Sequence, residues 1–157
     1  MYEIGDTVDD FTLESTNGTY TLSERVQNNY ALLYFYVVNF GKTCTDYMAL
    51  MNERLPELQR RGVELVHINP ESIENHKEWM RSTAAQFEHL SDKEQTISKK
   101  FDCIVTNANN KKIIGNTNRA LFLIDKDMRI RYCWRAEVPH DTVPMDELIM
   151  KIDEAIP

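Results

Sequence analysis

The sequence predicts an α/β protein with a mixed central sheet and helices on both faces, and three observations support this prediction. Strand-like and helix-like segments alternate along the chain, which is typical of a layered fold with a partly parallel sheet. The run 30–38 is apolar nearly throughout, as expected for a central strand buried on both faces. A β-hairpin near the end makes the sheet mixed. Because 157 residues suffice for one core and no linker divides them, we expect a single domain over residues 1–157.

The first half of the chain is predicted to form a hairpin, the central strand and a long helix. Asn17 and Gly18 lie between two short β-prone runs, and Asn-Gly at such a place is a strong hairpin signal. After the central strand, the polar loop 39–43 leads to a helix over 45–61, which Gly62 closes. The apolar face of this helix recurs at spacings of three and four: Met48, Met51, Leu55 and Leu58.

The second half continues with a strand and two helices before a closing hairpin. We expect a strand over 63–68, a helix over 73–87 that Ser72 caps, a short helix over 95–101 and a polar loop over 107–112. The predicted inner face of the longer helix consists of Ile73, Met80, Ala84 and Phe87. The last elements are two hairpin strands and a helix, at 120–124, 129–134 and 143–156.

Cys44 is the most informative residue, because the chain places it at a helix start directly after a buried strand. The first N–H groups of a helix carry partial positive charge and favour a thiolate over a thiol. Reactive cysteines often occupy such positions. A small buried hydrophobic cysteine is the alternative, and position alone leaves the two open.

Composition excludes several classes of function. A net charge of −7 argues against nucleic-acid binding, and the nine-residue apolar run is too short to span a bilayer. No signal peptide is visible, so we expect a reducing cytoplasm. The three cysteines form neither a disulfide framework nor a C-x-x-C motif, and no spacing matches a metal site. Four scattered histidines are interpreted as surface or packing residues: His67, His76, His89 and His140.

Several phrases, in order along the chain, resemble those of the peroxiredoxins, the alkyl hydroperoxide reductase / thiol-specific antioxidant family. The resemblance is closest to the bacterioferritin-comigratory (peroxiredoxin Q) branch. Residues 5–13 (GDTVDDFTL) are similar to the family opening G-D-x-x-P-D-F-x-L. The other matching phrases are YFY at 34–36 followed by Cys44, NPES at 69–72, HLSD at 89–92 and RALFLIDKD at 119–127.

This resemblance implies a thioredoxin-like fold and a thiol peroxidase that needs no cofactor and no metal. Cys44 matches the peroxidatic cysteine, whose thiolate attacks a peroxide oxygen and becomes a sulfenic acid. Arg119 matches the arginine that favours the thiolate and holds the peroxide. The implied partners are a peroxide, an external thiol reductant (a thioredoxin-like protein or a small thiol) and, as an open alternative, a second copy of the chain as a homodimer.

The active-site loop departs from the family pattern P-x-x-x-T-x-x-C. Val37 replaces the proline and Gly41 replaces the threonine, whose hydroxyl in the family bonds the thiolate and the peroxide. Thr43 adjoins the cysteine and Lys42 adds a nearby cation, so both are candidate supporting residues. In the peroxiredoxin Q branch the resolving cysteine often lies five residues after the nucleophile, where this chain has Ala49.

Two functional hypotheses follow. The first is a one-cysteine peroxidase that uses Cys44, with Cys103 disfavoured as a resolving residue and Cys133 interpreted as structural. The second is a redox sensor or binding protein that keeps the fold and has lost fast catalysis. The changes at Val37 and Gly41 favour the second hypothesis. The first is favoured by three residues: Cys44, Arg119 and the basic Lys42.

Overall fold

The computed structural model describes all 157 residues, which form one seven-stranded sheet flanked by helices. The strands are β1 Thr12–Ser15, β2 Gly18–Thr21, β3 Tyr30–Phe35, β4 Val63–Asn69, β5 Glu88–Ser91, β6 Ala120–Ile124 and β7 Ile130–Arg135. The helices are α1 Leu22–Arg25, α2 Lys42–Arg60, α3 Ile73–Thr83, α4 Thr96–Lys100 and α5 Met145–Ala155, with a short 3₁₀ helix at Lys111–Ile113. No helix combines the length and the apolar character needed to cross a membrane.

The sheet is mixed, as the sequence predicted, and its strand order is β2-β1-β5-β4-β3-β6-β7. The three central strands β5, β4 and β3 run parallel to one another. Both outer pairs, β1 with β2 and β6 with β7, are antiparallel hairpins, and each joins the parallel centre in the antiparallel sense. β3 is therefore an inner strand, which explains its continuous apolar run.

Helices cover both faces of the sheet and divide the core into two layers. Side chains of β3 alternate between these layers because successive residues of a strand point to opposite faces. Leu32 and Tyr34 pack with α2, α3 and α5, whereas Leu33 and Phe35 pack with α1 and α4. Cys44 belongs to the layer of α2, which we call the α2 layer; the other is the α4 layer.

Several details differ from the sequence predictions. β3 ends at Phe35 rather than at residue 38, and the long helix starts at Lys42, three residues earlier than expected. α3 stops at Thr83, and its buried residues are His76 and Trp79 instead of the four predicted. The strand β5 was not predicted.

The early end of α3 has a local cause. Ala84 adopts a left-handed conformation at φ 56°, which a helix cannot continue. The side chain of Asn52 in α2 then holds the departing segment, because it donates to the Ala84 carbonyl and accepts from the Gln86 N–H. Phe87, which the sequence placed on the helix, is instead buried in the turn that leads into β5.

Candidate active site

Cys44 is the third residue of α2 and lies in its first turn, where the sequence predicted it. The helix begins after Gly41, whose backbone is extended and whose carbonyl accepts from the N–H of Thr45 at 2.8 Å. The N–H groups of the three residues before Thr45 have no partner within the helix. Cys44, which is 5% exposed, therefore lies in the turn that carries their partial positive charge.

The loop between β3 and α2 is held in place by the buried side chain of Asn39. Its amide oxygen accepts from the Tyr36 hydroxyl, and its Nδ2 donates to Asn75 Oδ1 at 2.6 Å and lies 3.0 Å from His76 Nδ1. The backbone N–H of Asn39 donates to the Glu71 carboxylate. These contacts fix the loop on α3 and so set the position at which α2 begins.

Arg119 lies next to Cys44, although 75 positions separate them in the chain. β6 runs antiparallel to β3 with Phe35 opposite Ala120, so the start of β6 meets the end of β3. The guanidinium is 1% exposed, and both Nη1 and Nη2 lie 3.6 Å from the Cys44 sulfur. A buried cation at this distance stabilises a thiolate.

All five N–H donors of Arg119 have an acceptor. Nε and Nη2 donate to the carbonyl of Pro139 at 3.1 and 2.8 Å, and Nη1 donates to the Tyr34 hydroxyl. The remaining hydrogen on Nη1 and the remaining hydrogen on Nη2 face the Cys44 sulfur. Burial lowers the pKa of Arg119, but the Tyr34 and Cys44 side chains raise it by more, so the guanidinium stays charged. Burial raises the pKa of Tyr34, which stays protonated.

The sulfur and the guanidinium lie at a cleft of about 400 Å³. Val37 and Val38 form part of its wall, and Pro139 forms another part beside Arg119. Segment 107–110, which the sequence assigned to a polar loop, completes the wall and brings three asparagines to the cleft. The cleft therefore gives a small molecule access to Cys44 and Arg119.

Position 41 faces the sulfur but carries no side chain. A Cβ built on Gly41 would lie 4.0 Å from the Cys44 sulfur and 3.0 Å from Val38 Cγ2. Neither proposed supporting residue supplies the missing hydroxyl. The Lys42 ammonium is exposed and pairs with Asp46 at 3.0 Å, and Thr43 lines the cleft without a side-chain hydrogen bond to the sulfur.

The other two cysteines lie on the opposite side of the sheet from Cys44. Cys103 is part of the α4 layer, and Cys133 packs against that layer. All three thiols are unpaired. Burial raises the pKa of Cys103 well above its usual range and raises that of Cys133 as well. Since the sheet separates both from Cys44, neither can pair with it in the folded chain.

Three of the four histidines form one buried cluster, which the sequence analysis missed. The ring centroids of His67 and His89 are 4.7 Å apart, and those of His76 and His89 are 5.4 Å apart. Burial lowers the pKa of His76 to about 4 and that of His89 to about 3, and it also holds the pKa of His67 well below its usual range. His67 and His89 are partners across β4 and β5, so the register of the two strands brings them together.

Comparison with known proteins identifies relatives over nearly the whole chain. The model of the AhpC/TSA family matches residues 4–133. A protein of Picrophilus torridus called peroxiredoxin 2 is 27% identical over 156 residues, which cover 95% of this chain and 73% of that protein. A maize 1-Cys peroxiredoxin, PER1, is 24% identical and is aligned over 98% of this chain and 73% of its own length.

A solved structure has the same fold. Peroxiredoxin 6 of Arenicola marina superposes with a TM-score of 0.89 at 17% identity, over 98% of this chain and 73% of that one. The thioredoxin-like architecture expected from the resemblance is therefore confirmed.

Proposed function

We propose that this chain, which belongs to the AhpC/TSA family of thiol-dependent peroxidases, reduces peroxides with Cys44 as the nucleophile and Arg119 as its cationic partner. The observation that carries the proposal is the pair of 3.6 Å distances from the two terminal guanidinium nitrogens to one sulfur in the first turn of α2. Guanidinium and helix N–H groups stabilise the thiolate together. No contact in the structure favours the alternative of a redox sensor or binding protein with little peroxidase activity.

The chemistry consists of a displacement at oxygen followed by reduction of the sulfur. The Cys44 thiolate attacks one peroxide oxygen, the O–O bond breaks, and the other oxygen leaves as water or an alcohol after it takes up a proton. The sulfur is left as a sulfenic acid. Negative charge moves from the sulfur to the leaving oxygen, and the two N–H groups of Arg119 that face the sulfur are close enough to stabilise that charge by hydrogen bonds.

An external thiol must complete the cycle in this proposal, because no second cysteine reaches Cys44. The thiol attacks the sulfenic sulfur, water leaves, and a second thiol releases Cys44 as the mixed disulfide is exchanged. Either a small thiol or a thioredoxin-like protein supplies the two electrons. We place the reaction in a reducing compartment such as the cytoplasm, where the unpaired thiols stay reduced. A homodimer stays a prediction, which analytical ultracentrifugation can test by measuring the molecular mass in solution.

The test is consumption of hydrogen peroxide or cumene hydroperoxide with dithiothreitol as reductant. We expect the wild type to turn over and Cys44→Ser to lose turnover. Cys133→Ser is the matched control, since it removes a more exposed thiol that lies behind the sheet. Equal turnover by wild type and Cys44→Ser would overturn the assignment of the nucleophile. No turnover by the wild type, with any thiol or peroxide, would overturn the proposed function itself.

A further inference from the structure

We infer that Tyr34 is a positioning residue for the peroxidase reaction, because its hydroxyl holds the Arg119 guanidinium in the orientation that faces two N–H groups toward Cys44. The inference rests on the proposed function and extends it to a residue outside the P-x-x-x-T-x-x-C segment. Tyr34 lies in β3, at the last position before the end of the strand, and its side chain is 1% exposed.

The donor arrangement of Arg119 carries the inference. A guanidinium has five N–H groups in a rigid plane, so fixing three of them fixes the other two. The carbonyl of Pro139 takes Nε and one hydrogen of Nη2, and the Tyr34 hydroxyl takes one hydrogen of Nη1. Pro139 alone holds one edge of the plane. Tyr34 holds Nη1, on the other side of the guanidinium plane. Only with both contacts do the last hydrogen of Nη1 and the last hydrogen of Nη2 point at the Cys44 sulfur.

The Tyr34 ring is itself held firmly. It is stacked on Tyr36 with centroids 5.6 Å apart and an angle of 4° between the rings, and it packs against Tyr47 at 5.5 Å and His67 at 4.7 Å. A hydroxyl on so constrained a ring presents its acceptor oxygen at one fixed point. Arg119 is also 1% exposed, and Tyr34 does not line the cleft, so water can replace that acceptor only after a rearrangement.

Loss of the Tyr34 hydroxyl leaves one N–H of Nη1 without a partner in the interior. An unsatisfied buried donor is costly, so the guanidinium turns to find another acceptor and one of its two contacts with the sulfur weakens. We expect Tyr34→Phe to slow the oxidation of Cys44 by peroxide by about tenfold, through a weaker guanidinium contact to the reacting sulfur.

The matched control is Tyr47→Phe. Tyr47 is also buried and lies in the same layer, but its hydroxyl donates to the carbonyl of Val143 at 2.6 Å and makes no hydrogen bond to Arg119. Tyr47→Phe removes an equally buried hydroxyl and should change the oxidation rate by less than about twofold. Urea unfolding of both variants separates losses of stability from losses of reactivity. Replacement of Tyr34 by 4-fluorophenylalanine, which fills the space of the hydroxyl, serves if Tyr34→Phe does not fold.

A double-mutant cycle distinguishes positioning from a general structural role. The second-order rate of Cys44 oxidation by hydrogen peroxide is measured by quenching and intact mass spectrometry in wild type, Tyr34→Phe, Arg119→Met and the double variant. If Tyr34 acts through Arg119, its replacement has no further effect once the guanidinium is gone. A merely structural tyrosine would slow the reaction equally in both backgrounds.

Each outcome decides the question. The positioning role is supported if Tyr34→Phe lowers the rate of Cys44 oxidation tenfold when Arg119 is present and does not lower it in the Arg119→Met background. The positioning role is overturned, and the proposed function left intact, by either of two results. One is a Tyr34→Phe oxidation rate within twofold of that of a fast wild type. The other is an equal loss of rate from Tyr34→Phe in the wild-type and Arg119→Met backgrounds. A wild-type Cys44 that reacts no faster than the same cysteine in the urea-unfolded chain would overturn the proposed function and the positioning role together.

Discussion

Restoring a hydroxyl at position 41 should accelerate the peroxidase. The backbone of Gly41, at φ −72° and ψ 149°, is open to any residue, so threonine introduces no backbone strain. Its Cβ would lie 4.0 Å from the Cys44 sulfur, close enough for a hydroxyl on that carbon to reach the reacting atoms. The same Cβ would lie only 3.0 Å from Val38 Cγ2, so the substitution is made together with Val38→Ala to provide space.

The expected gain follows from the donors already present. In other enzymes one well-placed donor to a developing oxyanion contributes about 2.7–4 kcal/mol. Arg119 already provides two N–H groups at the sulfur, so a third donor should contribute less. We expect a gain of at least about tenfold in the second-order rate, equivalent to about 1.4 kcal/mol. Threonine also becomes the N-cap of α2, which lacks a side-chain cap, but because glycine is itself tolerated at an N-cap the fold should gain only about a few tenths of a kcal/mol.

Stopped-flow mixing of the reduced protein with hydrogen peroxide measures the rate, and urea unfolding measures the stability. The control is Gly41→Val in the same Val38→Ala background, because valine has the shape of threonine and no hydroxyl. We expect only the threonine variant to react faster than the Val38→Ala parent. If the valine variant gains as much as the threonine variant, the effect is one of packing. If neither gains, a missing hydroxyl does not limit the wild-type site.

Three further outcomes are expected. One equivalent of peroxide should convert Cys44 to sulfenic or sulfinic acid, and a dominant disulfide with Cys103 in the mass spectrum would contradict the one-cysteine assignment. The free energy of unfolding should fall by about 2 kcal/mol for each of His76 and His89 between pH 7 and pH 5. Burial keeps both side chains neutral in the folded protein, with pKa values of about 4 and 3, whereas the same side chains in the unfolded chain take up protons below a pKa of about 6.5. A urea midpoint that does not change between pH 7 and pH 5 would refute this prediction. Asn39→Ala should destabilise the fold by about 1–3 kcal/mol, because it leaves buried hydrogen-bond partners unsatisfied, and it should also slow the oxidation of Cys44. An unchanged urea midpoint and an unchanged oxidation rate would show that the loop between β3 and α2 does not depend on this side chain.

The parts of the site that could be predicted from sequence are those next to one strong local signal. The apolar run of β3 followed by a polar loop was enough to place Cys44 in a first helical turn. The resemblance added Arg119, and the antiparallel register of β3 and β6 explains why it reaches the sulfur. The contacts of Arg119 with Tyr34 and Pro139 have no signal in the sequence. Tyr34 is indistinguishable from an ordinary core residue of β3, and the contact of Pro139 is made by a backbone carbonyl.

The errors in the fold have related causes. β5 has only four residues, three of them polar or charged by type, and it is buried because β4 and β1 pair with it on either side. The inner face of α3 was assigned to Ile73, Met80, Ala84 and Phe87, whereas His76 and Trp79 occupy it. A histidine is apolar enough for the interior when it is neutral, and hydrophobic periodicity cannot show that. The buried histidine cluster was missed for the same reason.

The most direct test of the paired guanidinium and thiolate compares two reactions of Cys44 in wild type and Arg119→Met. The first is oxidation by hydrogen peroxide and the second is alkylation by iodoacetamide, both followed by intact mass. Arg119 should favour both by stabilising the thiolate, and peroxide oxidation more strongly by stabilising the leaving oxygen. We therefore expect Arg119→Met to slow oxidation by about a hundredfold and alkylation by much less. Equal losses in the two reactions, or an unchanged oxidation rate, would contradict a role for Arg119 in the peroxide step.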